Sequence, residues 1–577
     1  MTAKVSQDEA QAIKSRILQK AQEYKAQKLR SMNKPGGDST HFYDDDIARA
    51  MSEEFTDRVT VIPVLGDIIR FFGGVLRRRK ELTVEEFAEM VRSDLKSKIA
   101  PREAVAKLTN IVALPGNSMV PFMNGGPDDE NWDNSPNGFF DWITNKSMES
   151  ILGVELGFKA DDYGLEISQK LIAKKKANPD MYIGILVDGF VSILMQKIPR
   201  TLTQFEQNTI SMLRDMRNAG IDVVVNSSSD PLSDDFLAAN HIKLWIFDCK
   251  AAFFGGIGIE SQFRNQEYDE MDLVQGKFVE VATLIALMLI RNQRAKDNLV
   301  ILGLPPLLTD NGLKLESLAQ RFEMIEGNPG TIQMKIRMDV PGYVQDAQKE
   351  YINLVTHQHL EEIYILVPYF SDHKVAKGVV KTATRLQSRL SKEKQNQIRK
   401  SFPNIDGNEL NQKIDAALQN DKRIHVIFPT KQEDAIIADV SKYYSYYLRN
   451  NPIVDTRQFI FQTQSQVFNM LHAKQMVVIL KDPARNWTKY VKYGGSYNPA
   501  GRAWNMWELN SVEINENWET SDEGENASPE NPIKDYLNNV MITTLNKYTE
   551  PFPWGEPGEK LTIIERISME IARHLWF

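Results

Sequence analysis

Two His-x-Lys tripeptides, His241-Ile242-Lys243 and His472-Ala473-Lys474, each head a β-rich run that leads through a turn to a glycine pair. One such tripeptide constrains nothing, because short patterns recur by chance. The repeat of the whole arrangement does constrain the chain. Asp248 lies five positions beyond Lys243, and Gly255-Gly256 closes the first hairpin. In the second copy the run QMVVIL follows Lys474, and a longer hairpin ends in Gly494-Gly495-Ser496-Tyr497-Asn498. Strand alternation puts the His and Lys of each tripeptide on one face. Glycine lets a backbone approach an anion closely.

The rest of the sequence is organised around the same duplication. With 577 residues the chain exceeds one ordinary core, so several domains are expected. Residues 7–30 and 84–110 are predicted as helices. Residues 59–76 are the most apolar stretch of that region and precede the basic run 77–80. They read either as a buried helical hairpin or as an interfacial segment beside anionic lipid. A stretch rich in Gly, Pro, Asn and Asp over 115–137 reads as a long loop and boundary.

An α/β rhythm follows: helix 163–176, strand 182–187, helix 207–218, strands 221–225 and 243–247, helix 278–290 and strand 299–302. The order then recurs, with helix 344–357, strand 363–367, helix 374–390, a charged helical insertion over 390–420, and strands 423–428 and 475–480. Strands alternating with helices imply an α/β class, and two passes imply an internal repeat. The expected parts are an N-terminal helical region at 1–110 (a candidate membrane-surface element), lobes at 150–330 and 340–515, and a tail at 516–577 that ends in a helix over 561–577.

Composition removes several classes. A net charge of −8 opposes a broadly nucleic-acid-binding surface, so no nucleic acid is expected as partner. A single cysteine, Cys249, excludes an internal disulfide framework and fits a reducing compartment. Residues 1–28 lack the apolar core of a secretory signal, and no run reaches the length of a membrane-spanning helix. The expectation is a cytoplasmic or peripheral membrane protein, with export without a cleaved signal left open. The remaining histidines (His41, His357, His359, His373, His425, His574) show no metal-ligand spacing, and the acidic loop 128–133 lacks the ligand pattern of an EF-hand. No metal or cofactor is expected.

The paired motifs resemble the two HKD motifs of the phospholipase D superfamily. Supporting matches run over about 150–300 and 340–515. Residues 213–225 (LRDMRNAGIDVVV) resemble the family's helix-Gly-strand step. Val367-Pro368-Tyr369-Phe370 resembles the strand end of cardiolipin synthase–like members, and 498–510 (NPAGRAWNMWELN) their closing segment. Two positions depart from the pattern: Gly258 stands where the first motif usually has Asn, and Ile479 where the second usually has Asp, with Asp482 as a substitute from the longer hairpin.

The resemblance implies two α/β lobes related by a pseudo-two-fold, with one active site at their junction. It places Asp269 beside His241 and Glu508 beside His472, with Asp272 and Glu513 as neighbouring alternatives. It makes His241 the phosphohistidine nucleophile and His472 the acid, while Gly255, Gly256, Gly495, Ser496 and Asn498 line the phosphate. The chemistry suits these residue types. A phosphodiester anion repels nucleophiles, so an enzyme without a metal needs cationic donors (Lys243 and Lys474), a nucleophile and an acid. The implied activity is hydrolysis or transfer of a phospholipid headgroup at a membrane surface. A nuclease or other phosphodiesterase on a soluble substrate and an inactive lipid-binding scaffold are the rival readings. Oligomeric state is not readable from the sequence.

Overall fold

The computed structural model describes residues 114–124, 137–188, 204–226, 240–261, 267–295, 331–340, 344–370, 372–429, 444–460, 470–499, 508–515, 519–520 and 531–552. The helices expected at 7–30, 84–110 and 561–577, the apolar segment 59–76 with its basic run, the loop 128–133 and the strand 299–302 lie outside these residues.

The chain is a mixed α/β protein built on two sheets. The first begins with β1 (Leu114–Asn124). After the helical turn Phe139–Asp141 and its π-turn extension come β2 (Ser150–Glu155), α1 (Asp162–Ala177), β3 (Tyr182–Asp188), α2 (Gln204–Asn218) and β4 (Asp222–Asn226). β2, β3 and β4 pair in parallel through the helices that cross over between them. They are buried along their whole length, which is why they read as nearly unbroken apolar runs. β5 (Leu244–Phe247), β6 (Ala251–Gly255) and β7 (Glu267–Gln275) continue the sheet antiparallel from β2, and β1 lies antiparallel on β7. α3 (Lys277–Ala295) follows.

The chain continues with β8 (Ile332–Val340), β9 (Val344–Gln345), α4 (Asp346–Val355), β10 (Leu360–Leu366), α5 (His373–Ser401), α6 (Gly407–Gln419), β11 (Ile424–Phe428), β12 (Val454–Phe459), β13 (Met470–Leu471), β14 (Gln475–Asp482), β15 (Trp487–Gly495), β16 (Glu508–Asn515) and β17 (Glu519–Thr520), whose strands other than β13 build the second sheet. The pairing order of the first sheet is repeated. β10, β11 and β12 are parallel, β14, β15 and β16 run antiparallel from β10, and β8 lies on β16 as β1 lies on β7. β1 and β8 also pair with each other across an irregularity, which links the sheets. α7 (Pro532–Tyr536) and α8 (Ile542–Lys547), joined by a π-turn, pack with Tyr268 on β7 and Tyr364 on β10, and β18 (Thr549–Pro551) pairs with β12.

Local signals explain several of these elements. Asp161 caps α1 by accepting from Gly164 N–H, and Lys174–Lys176 sits at the carbonyl end, where cations suit the helix dipole. α3 is apolar nearly all round and is buried between the first sheet and β8, as such a helix must be. On the other face of the first sheet Phe139 meets Trp245, Phe247 and Phe253 edge-on at 5.1–5.9 Å. Among the described residues no helix is long and apolar enough to cross a membrane.

One expectation is corrected here. The loop expected over 115–137 is in its first part the strand β1, because Asn117 and Gly116 belong to an irregular strand. Asn117 accepts from Phe278 N–H at the start of α3 and donates to Leu114 and Ile332 carbonyls, so its side chain serves three elements.

Candidate active site

His241 and Lys243 lie on an irregular segment just ahead of β5. The chain enters this segment through buried amide contacts. Asn240 N–H donates to Asp188 Oδ2 at the end of β3 (2.8 Å), and Asn240 Nδ2 donates to Glu155 O at the end of β2 (3.1 Å). His472 and Lys474 are held differently. β13 pairs in parallel with β7 of the first sheet, and the N–H groups of His472 and Ala473 both donate to Tyr268 O (2.9 and 3.0 Å). The second tripeptide is thus tied to a strand of the first lobe.

That tie decides which carboxylate meets which imidazole. Asp269 Oδ2 is 2.6 Å from His472 Nδ1, and Glu508 Oε2 is 3.0 Å from His241 Nδ1. The expected pairing of Asp269 with His241 and Glu508 with His472 is therefore overturned: each carboxylate serves the histidine of the other lobe. β7 and β16 reach the junction, and each delivers its acid across it. Asp272 and Glu513, the neighbouring alternatives, point away from both histidines to Lys492 Nζ, at 2.5 and 3.9 Å.

The six groups share one electrostatic environment, and all are buried. Burial, with Lys243 and Lys474 adding to it, holds His241 well below its usual range. His472 is likewise held low by burial and then by Lys474. Burial works against the Asp269 carboxylate, but His472 and Lys474 outweigh it and keep it anionic. Burial pushes Glu508 up to about 8, against the pull of Ser496 and the two lysines. Burial brings Lys474 down to about 7, with Asp269 opposing. Lys243 is lowered by burial but has more carboxylates around it, Glu508 and Glu155 first. Each lysine also donates to the carbonyl of its own histidine, Lys243 at 3.0 Å and Lys474 at 2.6 Å.

The glycine-containing turns are equivalent through their backbone bonds. Gly256 N–H donates to Glu270 O as Ser496 N–H donates to Leu509 O. Gly256 therefore stands where Ser496 stands, and Gly258 where Asn498 does. Ser496 Oγ hydrogen-bonds Glu508, whereas a Cβ at Gly256 would collide with the Asp269 carboxylate. Gly255 and Gly495 leave room for the neighbouring backbone of Glu270 and Leu509, and Gly494 for Gln475. The Asn498 side chain is buried, and its Oδ1 has no hydrogen-bond partner among the described residues.

Asp248 and Ile479 also find an explanation. Asp248 accepts from the N–H groups of Met148, Glu149 and Ser150 (2.7–2.8 Å), so it fastens the start of β2 and touches neither histidine. The first hairpin turns there, with Asp248 and Cys249 both left-handed. The second hairpin continues through Ile479 to Asp482, which accepts from Ala484 N–H in its own turn. Asp482 does not take over the role of Asp248.

Two carboxylates near the site were not singled out from the sequence. Glu155, fully buried at the end of β2, accepts from Trp245 Nε1 at 2.5 Å and faces Lys243. An acid ending an otherwise apolar buried strand is the signal that would have found it. Glu267 Oε2 is 3.6 Å from His472 Nδ1. Glu267, Asp269 and His472 bring one ligand atom each within 4.8 Å, a spacing that could hold a cation, although Asp269 and His472 already bond each other there.

No protein-family model matches the sequence, and no curated protein does. Among solved structures, the chain is similar to phosphatidylserine synthase of Haemophilus influenzae Rd KW20, over 82% of this chain and 97% of that one, at 14% identity and a TM-score of 0.44. It is similar to polyphosphate kinase of Porphyromonas gingivalis over 80% of this chain and 55% of that one (8% identity, TM-score 0.33). It is also similar to Nuc, a phospholipase D family member of Salmonella typhimurium, over 31% of this chain and 95% of that one (16% identity, TM-score 0.21).

Proposed function

We propose that this protein is a phospholipase D–type phosphodiesterase that hydrolyses or transfers a phospholipid headgroup through a phosphohistidine. The observation that supports this most is the crossed pair of imidazole–carboxylate contacts, His241 with Glu508 and His472 with Asp269, around Lys243 and Lys474. Burial keeps both imidazoles neutral in the free protein, and neutral imidazole is the nucleophilic form. Nε2 of one attacks phosphorus while Nδ1–H is held by its carboxylate. As the phosphodiester anion binds, the other imidazole takes up a proton from solvent; the P–O bond to the leaving group then breaks, and that imidazolium donates its proton to the departing oxygen. Water or an alcohol then attacks the phosphorus and gives its proton to the second imidazole, and the P–N bond breaks to free the first histidine. Lys243, Lys474, Ser496 and Asn498 are the groups proposed to hold the non-bridging oxygens. The lysines supply the positive charge, so turnover of a soluble diester should survive chelation.

Product analysis on liposomes of mixed headgroups, with and without a primary alcohol, tests the reading. Phosphatidic acid in water and a phosphatidyl-alcohol with alcohol present are the expected products. Cleavage of nucleic acid with no lipid product would overturn it, as would intact lipid together with no labelled phosphoenzyme.

A further inference from the structure

α5 carries a charge pattern unlike the rest of the chain. Its 29 residues hold nine lysines and arginines and one glutamate, in a protein whose net charge is −8. One face, with Val375, Val379, Ala383, Leu386 and Leu390, is buried in the second core. On the opposite side Lys374, Lys377, Lys381, Lys392 and Arg399 are exposed. At 100° per residue these five fall within about 60° of one another, and they extend roughly 37 Å along the axis. None of the five makes an ion pair among the described residues, whereas Arg389 and Lys394, off the stripe, pair with Glu361 and Asp421.

Both ends of the stripe are informative. At its start, Asp372 caps α5 and its N–H donates to Pro499 O (2.8 Å), the residue after Asn498, so the stripe begins beside the candidate site. At its end, Phe402 is 52% exposed just beyond Arg399 and Lys400, with Lys413 Nζ 4.9 Å from its ring. An exposed aromatic flanked by cations suits a bilayer interface, where the ring enters the headgroup region and the ammonium groups meet lipid phosphates. A duplex nucleic acid would use the charges but has no use for the ring.

We propose that this face of α5 seats the protein on an anionic phospholipid surface, with the candidate site at one end and Phe402 at the other. The inference rests on the lipid-substrate reading for its biological sense, but its test reads binding directly. Flotation of the full chain with vesicles of phosphatidylcholine plus phosphatidylglycerol, against phosphatidylcholine alone, should show binding to the mixed vesicles only, reversed by high salt. Each surface cation near such a membrane contributes about 1 kcal/mol, so the triple variant Lys377→Gln, Lys381→Gln, Lys392→Gln should partition about a hundredfold more weakly. Its circular dichroism, and its turnover of a monomeric short-chain phosphodiester, should match the unmodified protein. A triple variant that floats as well as the unmodified protein would overturn the proposal, and so would equal binding to both vesicle types. Loss of affinity for an RNA homopolymer with vesicle binding unchanged would assign the face to nucleic acid instead. Failure to turn over any diester, with vesicle binding and its loss as expected, would sink the functional reading and leave the docking face standing.

Discussion

Asp269, on β7 of the first sheet, places Oδ2 2.6 Å from Nδ1 of His472, on the segment that leads into β14 of the second. A carboxylate on the far ring nitrogen fixes the tautomer and leaves Nε2 for chemistry. Asp269→Asn keeps the shape and loses the acceptor preference, so kcat should fall by about two orders of magnitude or more. Nitrogen NMR of the imidazoles should show His472 changing tautomer population and His241 little altered. A change confined to His241 would mean that the crossed pairing is wrong.

Because each lobe supplies the carboxylate for the other's histidine, the two halves are expected to act as one unit. His241→Ala and His472→Ala should each lower kcat by about three orders of magnitude or more, and the double variant should be little worse than either. Turnover near the unmodified rate in one single variant would refute a shared centre.

Lys474 gives the site a pH response. Burial lowers its ammonium to about 7, so the free protein loses this cation as pH rises through that value. A bound anion favours the charged form, so affinity is greatest below about pH 7 and falls above it, by up to about tenfold per pH unit. Titration of a phosphodiester that keeps one negative charge throughout would measure this. Lys474→Met should remove the limb near 7 and move that of Glu508 upward from about 8, since Lys474 is one of the cations that hold it down. An affinity that does not change between pH 6 and 9 would contradict the assignment.

The Lys492 cluster gives stability its own pH response. Lys492 is fully buried, 2.7 Å from Glu270 and 2.5 Å from Asp272, and Glu513 joins from β16. Burial, only partly offset by Lys492, raises Glu270 to about 8 and Glu513 to about 7. The folded state therefore holds protons that the unfolded chain has already released above about pH 4.5, and stability falls as pH rises through about 5 to 8. Urea midpoints across that range should decline, and less steeply in Glu513→Gln. Lys492→Met strands the buried carboxylates and should cost about 3–5 kcal/mol at neutral pH. A midpoint that climbs over the same range would refute the protonation states.

Much of the fold was legible because its signals are local. The helix at 163–176, the strands at 182–187, 363–367 and 423–428, and the amphipathic helix at 207–218 all appear within a few residues of their expected bounds. β1 was not, because Gly116 and Asn117 read as loop residues until the partner strand β7 is present to take up their neighbours. The charged helical insertion expected over 390–420 appears as the second half of α5 together with α6; where α5 ends was not legible, since that half lacks the apolar density that marked the first.

What the sequence alone determined is the repeat: two His-x-Lys tripeptides, two glycine-rich turns and two passes of strand and helix, all encoded in residue type and spacing. The partners of those residues were decided only in three dimensions. Asp269 and Asp272 differ by three positions on one strand, and alternation sends one to His472 and the other to Lys492. Sequence spacing cannot say which lobe a strand end will face. That depends on β13 pairing with β7 across the junction, a contact between residues about two hundred positions apart that only the assembled sheets can make.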